Sequence, residues 1–140
     1  MAEIINAKKF SYELVIKEHH LDTLGHVNNA TYLQILEEAR WEVITPHGYG
    51  VEDIPKKGVS PVVLEIQIKY LYELKLRDKI TIETQCIDVK SKICQLENTI
   101  LNKENKVCCK AIIYIGMLDM KERRLLPLTP EWLIACGVTI

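Results

Sequence analysis

The sequence predicts an α+β domain, on three observations. One long stretch, residues 28–44, carries apolar residues at helical spacing. Four later stretches, 62–70, 79–89, 91–101 and 106–118, alternate apolar and polar residues with a period of two. The spacers between those stretches are short, which favours antiparallel meanders over crossover connections. With one more strand ahead of the helix, the expectation is a strongly curved five-stranded antiparallel sheet around one long helix. One domain spans 1–140.

In chain order, residues 9–18 put Phe10, Tyr12, Leu14 and Ile16 on one face, the pattern of a half-buried strand. His19 and His20 read as caps of that strand's end. Asn28 or Asn29 is a good N-cap for the helix, which is expected to run to about Ile44. Tyr32, Leu36, Ala39 and Val43 recur at spacings of four, three and four, with Leu33 and Ile35 beside them. Gln34, Glu37, Glu38 and Glu42 take the solvent side. Pro46, Gly48 and Gly50 end the helix. After the loop at Pro55–Gly58, Leu64, Ile66, Ile68 and Tyr70 share a face, and so do Ile80, Ile82, Thr84 and Cys86. Residues 102–105 read as a hairpin turn into a last strand whose inner face holds Val107, Cys109, Ala111, Ile113, Ile115 and Met117. A tail with Pro127, Pro130 and Trp132 follows. Long edge strands in such a sheet invite pairing with a copy of the same chain, so a dimer is expected on structural grounds.

A chain of 140 residues can bury a substantial core. Its 18 basic and 19 acidic residues leave a formal charge of -1 without any basic stripe, which argues against a nucleic-acid partner. The first nine residues lack the apolar run of a signal peptide, and no apolar stretch is long enough to span a membrane. The expectation is a cytoplasmic protein with no membrane partner. Five cysteines, an odd number without a C-x-x-C, suggest neither a disulfide framework nor a zinc site. They read as small core hydrophobes. Adjacent Cys108 and Cys109 are expected on opposite faces of their strand.

The stretch that carries chemistry is Asp22-Thr23-Leu24-Gly25-His26-Val27-Asn28-Asn29-Ala30-Thr31-Tyr32. It places a carboxylate in a short glycine-containing loop just ahead of a helix. The exposed N–H groups of a helix N-terminus carry partial positive charge and can bind a developing oxyanion. A carboxylate beside such donors is the minimum equipment for acyl-transfer hydrolysis. Against this stands the plain alternative that Asp22 is a turn residue and the asparagines are caps. His26 has its own plain alternative, bracing the loop. Asp22 and His26 have no third residue spaced to join them as metal ligands.

Taken together, the Asp22-x-x-Gly25-His26-Val27-Asn28-Asn29-x-x-Tyr32 junction, the Ser60-Pro61-Val62-Val63 lead-in to a strand and the Tyr70-x-x-Glu73-Leu74-x-x-x-Asp78 segment resemble the hotdog-fold thioesterases. The resemblance covers roughly residues 8–120 and is nearest to the 4-hydroxybenzoyl-CoA thioesterase branch, which includes acyl-CoA thioesterases. Leu74 departs from that branch, where a proline is frequent. The stretch also resembles acyl-carrier-protein thioesterases, which carry Asp-x-Asn-x-His here, but Leu24 replaces the Asn.

The resemblance implies a hydrolase that cleaves acyl-CoA or acyl carrier protein thioesters to the free acid and a thiol. It makes Asp22 the nucleophile or general base and puts the Asn29 backbone N–H on the thioester oxygen. It makes Gly25, His26, Val27 and Tyr32 substrate-binding residues, with Ser60 and Pro61 contributed by the strand of a second subunit. It implies a homodimer, with dimers commonly paired into tetramers, and no metal or organic cofactor. Basic residues on loops at strand ends contact the CoA nucleotide in relatives, and Lys90, Ser91 and Lys92 fit such a loop, as do Lys121, Arg123 and Arg124. Two other readings stay open. One is a hydratase or dehydratase on acyl carriers, needing His26 with Glu37 or Glu38. The other is an acyl-thioester-binding protein without turnover.

Overall fold

The structure, a computed structural model, describes residues 5–140. Strand β1 (Lys9–Val15) leads through a short 3-10 turn into helix α1 (Asn29–Ile44). A one-turn helix α2 (Ile54–Lys57) precedes the long strands β2 (Val59–Tyr70), β3 (Lys79–Lys90), β4 (Ile93–Leu101) and β5 (Val107–Asp119). The chain continues through a two-residue strand β6 (Leu125–Leu126) and a short helix α3 (Pro130–Ala135). All pairings are antiparallel, in the order β1-β3-β4-β5-β2, with β6 on β5.

Among the described residues six strands therefore replace the expected five. The extra one pairs Leu125 and Leu126 with Leu118 and Met117, on the opposite side of β5 from Pro61 and Ser60. Two residues are too few to show an alternating pattern. Nor are the spacers all meander turns. Only β3-β4-β5 is a meander, and β2 lies at the far edge. The connector 71–78 therefore passes the ends of β5 and β4 to reach β3. It is held at three points: Leu71 and Tyr72 N–H donate to the Cys108 carbonyl, Arg77 N–H donates to Ile16, and Ile16 N–H donates to Asp78. Leu74 is buried and anchors the connector in the core.

Helix α1 follows its sequence pattern. Asn28 is the cap, its Oδ1 accepting from Ala30 N–H at 2.8 Å. Tyr32, Ile35, Leu36, Ala39, Val43 and Ile44 are buried against the sheet, while Leu33, Gln34, Glu37, Glu38 and Glu42 are exposed. Thr45–His47 tighten into a 3-10 turn and Gly48, at φ 85°, closes it in the left-handed region. The sheet meets the helix with Ile80, Ile82 and Cys86 of β3, Leu96 and Ile100 of β4, and Ala111, Ile113 and Ile115 of β5. From α3, Trp132 is buried edge-on to Tyr49 and donates its indole N–H to Cys94 Sγ at 3.4 Å.

Three local departures have physical causes. Leu101 pairs with Val107 and Ile100 with Cys109, so Cys108 is the extra residue of a β-bulge. The expected opposition of Cys108 and Cys109 fails there, and both are buried. Val107, beyond that bulge, is exposed instead of sharing the inner face. A second bulge lies between Val63 and Glu65 on β2, and there Leu64 is exposed while Ile66 and Ile68 keep their half-buried positions.

Candidate active site

The loop ahead of α1 is built by Asp22. Its Oδ1 accepts from Leu24 N–H at 2.9 Å and from His26 N–H at 3.2 Å. Its backbone N–H donates to the His26 carbonyl at 2.8 Å. Gly25 turns the chain at φ 81°, a conformation that glycine adopts without steric cost. A lone bridge between Leu21 and Val27 closes the loop, and Val27 is buried beneath it. One carboxylate oxygen is thus fixed, while Oδ2 has no hydrogen-bond partner among the described residues. The turn-residue reading of Asp22 is seen in this geometry. It braces the turn with one oxygen and keeps the other free.

Asn29 is the first residue of α1, exposed at the surface. Among the described residues its backbone N–H has no acceptor, as expected at the first helical position when Asn28 spends its side chain on Ala30. Tyr32, one turn on, is buried and meets Tyr70 edge-on, with ring centroids 4.9 Å apart. Burial raises the pKa of both hydroxyls. Tyr70 also donates to the Asn29 carbonyl, at 3.4 Å. Tyr70 was legible as the last residue of the face it shares with Leu64, Ile66 and Ile68, but it is exposed, and only its partnership with Asn29 and Tyr32 ties it to the site. His26 lies on the exposed rim with its Nε2 at 3.6 Å from Glu73 Oε1.

Other residues from the sequence reading lie elsewhere. Ser60 and Pro61 sit at the opposite end of β2 from Tyr70, roughly 30 Å away along the strand. The Lys90-Ser91-Lys92 turn between β3 and β4 lies at that same far end, with the Ser91 carbonyl accepting from Leu128 N–H. Lys121, Arg123 and Arg124 follow β5 at the same end, in a turn capped by the Asp119 carboxylate. One chain brings Asp22, Gly25, His26, Val27, Asn29 and Tyr32 together, and does not bring these others to them. Glu37 and Glu38 are also apart from His26: Glu38 accepts from Tyr12 and Glu37 from the Trp41 indole. His19 stacks on His20, whose Nδ1 accepts from Lys17 N–H at 2.9 Å.

The five cysteines are free and buried. Burial pushes the Cys86 and Cys109 thiols up to about 12, so neither is an activated nucleophile. Among the described residues no three His, Cys, Asp or Glu side chains are grouped to hold a metal ion. No helix there is long and apolar enough to cross a membrane.

Comparison with known proteins gives the family and the fold. The chain matches the thioesterase-like superfamily over residues 16–135. It is 32% identical over 120 residues to the long-chain acyl-CoA thioesterase FadM of Escherichia coli, covering 85% of this chain and 90% of that protein. Among solved structures it superposes on the probable thioesterase YbaW of Escherichia coli with a TM-score of 0.75 at 30% identity, covering 89% of this chain and 94% of that one. A hypothetical protein of Staphylococcus aureus in complex with CoA shares the fold, with a TM-score of 0.85 at 17% identity over 99% of this chain and 92% of that one. The chain therefore belongs to the thioesterase-like superfamily, as a thioester hydrolase with the hotdog fold.

Proposed function

We propose that the chain hydrolyses acyl-CoA thioesters to the free acid and CoA, with Asp22 as nucleophile or general base and the Asn29 N–H as oxyanion donor. The observation that carries this is a carboxylate held by one oxygen, its other oxygen free, in the loop that opens a helix whose first N–H has no acceptor. The similarity to FadM, named for its action on long-chain acyl-CoA, supports the substrate class.

In this reading the thioester oxygen lies against the Asn29 N–H. The donor is fixed before the reaction, so it stabilises the oxyanion without reorganising. Two routes use the same geometry. In one, Asp22 Oδ2 attacks the carbonyl carbon, the C–S bond breaks to release the thiolate, and water then hydrolyses the mixed anhydride. In the other, Oδ2 takes a proton from water as that water attacks, and the proton passes to the departing sulfur. Both consume one water and yield one acid and one thiol.

The site is completed by a second copy. The outer edge of β2 has no partner strand among the described residues, and Val63 and Leu64 on it are 47% and 44% exposed. Two such edges joined antiparallel about a two-fold axis would bring the partner's Ser60–Pro61 end toward Tyr70, closing the 30 Å gap within one chain.

Replacing Asp22 with Asn is the direct test. The amide oxygen can still accept from Leu24 and His26, so the loop keeps its shape and only the base is lost. We expect a fall of at least ~100-fold in thiol release from acyl-CoA, with an unchanged circular dichroism spectrum. Full activity in that variant would remove Asp22 from the mechanism.

A further inference from the structure

Arg40, at the start of the fourth turn of α1, is the charged group that the mechanism leaves unexplained. Its Nη1 is buried and has no hydrogen-bond partner among the described residues. No carboxylate among them lies within 4 Å of it. The side chain lines a cavity of about 100 Å³ between α1 and the Pro61–Val63 end of β2, whose other walls include Trp41, Ile44 and Trp132. Glu37 lines it too, but is exposed, and its Oε1 is taken by the Trp41 indole N–H at 3.3 Å. Arg40 as a whole is half-buried, but a guanidinium nitrogen held away from water without an acceptor still costs free energy. Burial works against its charge, offset only in part by Glu37. Glu37 is the one carboxylate on these walls and does not pair with Arg40, so Nη1 is left without an acceptor from the cavity's own side chains.

The helix connects this cavity to the reacting end of the site. Asn29 and Arg40 are 40 − 29 = 11 residues apart, about 16 Å at 1.5 Å per residue and about three full turns, which puts both on one line of the helix. Leu33 lies close to that line and is exposed. An acyl chain whose carbonyl sits at the Asn29 N–H and which runs along this line ends at the guanidinium.

We propose that the α1–β2 cavity is the far end of the acyl pocket, and that Arg40 selects acyl thioesters bearing an oxygen acceptor at the end remote from the thioester. The assignment rests on the reading of Asn29 as the oxyanion donor. A terminal carboxylate would accept two parallel N–H bonds and a terminal hydroxyl one. A plain methyl end would leave the guanidinium unpaired, and a site built for a polar group penalises the analogue that lacks it.

The test compares acyl-CoAs matched in length and ending in methyl, hydroxyl or carboxylate. For the wild type, kcat/KM should favour an oxygen-bearing end by at least ~10-fold, and the hydroxyl and carboxylate arms distinguish the two acceptors. Arg40→Met should bring the ratio close to one while still hydrolysing the methyl-ended chain, and Arg40→Lys should keep part of the preference. Binding of the same three compounds to the Asp22→Asn protein, followed by calorimetry, should show the same order without turnover. No preference in the wild type or in that binding series would overturn the assignment. So would a preference that survives Arg40→Met, with light scattering showing that the substitution instead dissociates a dimer, since the missing acceptor would then belong to a second copy. A wild type that binds with the preference but hydrolyses none of the three would sink the hydrolase reading and leave the Arg40 assignment standing.

Discussion

At the scale of single residues, the site depends on polar groups that each do one structural task and leave one function over. Asp22 spends Oδ1 on two loop N–H groups and keeps Oδ2. His20 behaves in the same way in the turn before it. Its Nδ1 accepts from Lys17 N–H, which requires an unprotonated nitrogen, and burial lowers its pKa from the ordinary 6.5. In the unfolded chain the imidazole takes up its proton at the ordinary value, so between 6.5 and the lower folded value the unfolded state binds more protons. The stability His20 contributes is therefore present above about pH 6.5 and is lost as the pH falls toward the folded pKa. Thermal unfolding followed from pH 8 down to 5 should show a decline that His20→Asn flattens, since an amide oxygen can take the same N–H without titrating. Parallel curves for the two proteins would mean that another group sets the acid limit.

At the scale of elements, the helix start is where sequence and structure agree most closely, and the reason is local. A cap, a period of 3.6 and a Pro/Gly stop lie within one continuous stretch, so α1 was legible from Asn28 to Ile44. Because Asn28 satisfies Ala30 and leaves the Asn29 N–H free, Asn28→Ala should cost about 1 kcal/mol of stability. It should also loosen the donor, lowering kcat more than it raises KM in steady-state assays. An unchanged kcat would separate the cap from catalysis. Features set by distant partners were not legible. The bulge at Cys108 exists because the returning connector needs the Cys108 carbonyl for Leu71 and Tyr72, residues far away in sequence until the sheet forms. The place of β2 at the far edge depends on that same connector. Strand β6 and helix α3 draw their stability from β5 and from the pocket for Trp132, not from patterns of their own. Arg40 sits at the border between the buried and exposed faces of α1, where helical periodicity assigns no side, and only the packing of β2 against that border buries its Nη1.

At the scale of the molecule, the distance between Asp22 and the Ser60–Pro61 end of β2 makes the two-copy site directly testable. Ser60→Arg should obstruct the site that this strand end completes, and Asp22→Asn should disable the site that its own loop supplies, so each variant alone should be inactive as a homodimer. If the two contributions come from different chains, a mixed dimer regains one intact site, because the Asp22 of the Ser60→Arg chain meets the Ser60 of the Asp22→Asn chain. Its other site carries both lesions. Random exchange of equal amounts makes half of the dimers mixed, each with one working site of two, so thiol release should recover to about a quarter of the wild-type rate per chain. Exchange can be confirmed by mass, with one chain isotopically labelled. A site confined to one chain predicts no recovery at any mixing ratio, because every chain in the mixture carries a lesion in its own site. Recovery near the predicted value would place Asp22 and Ser60 across the two-fold axis, and its absence after confirmed exchange would return the site to a single chain.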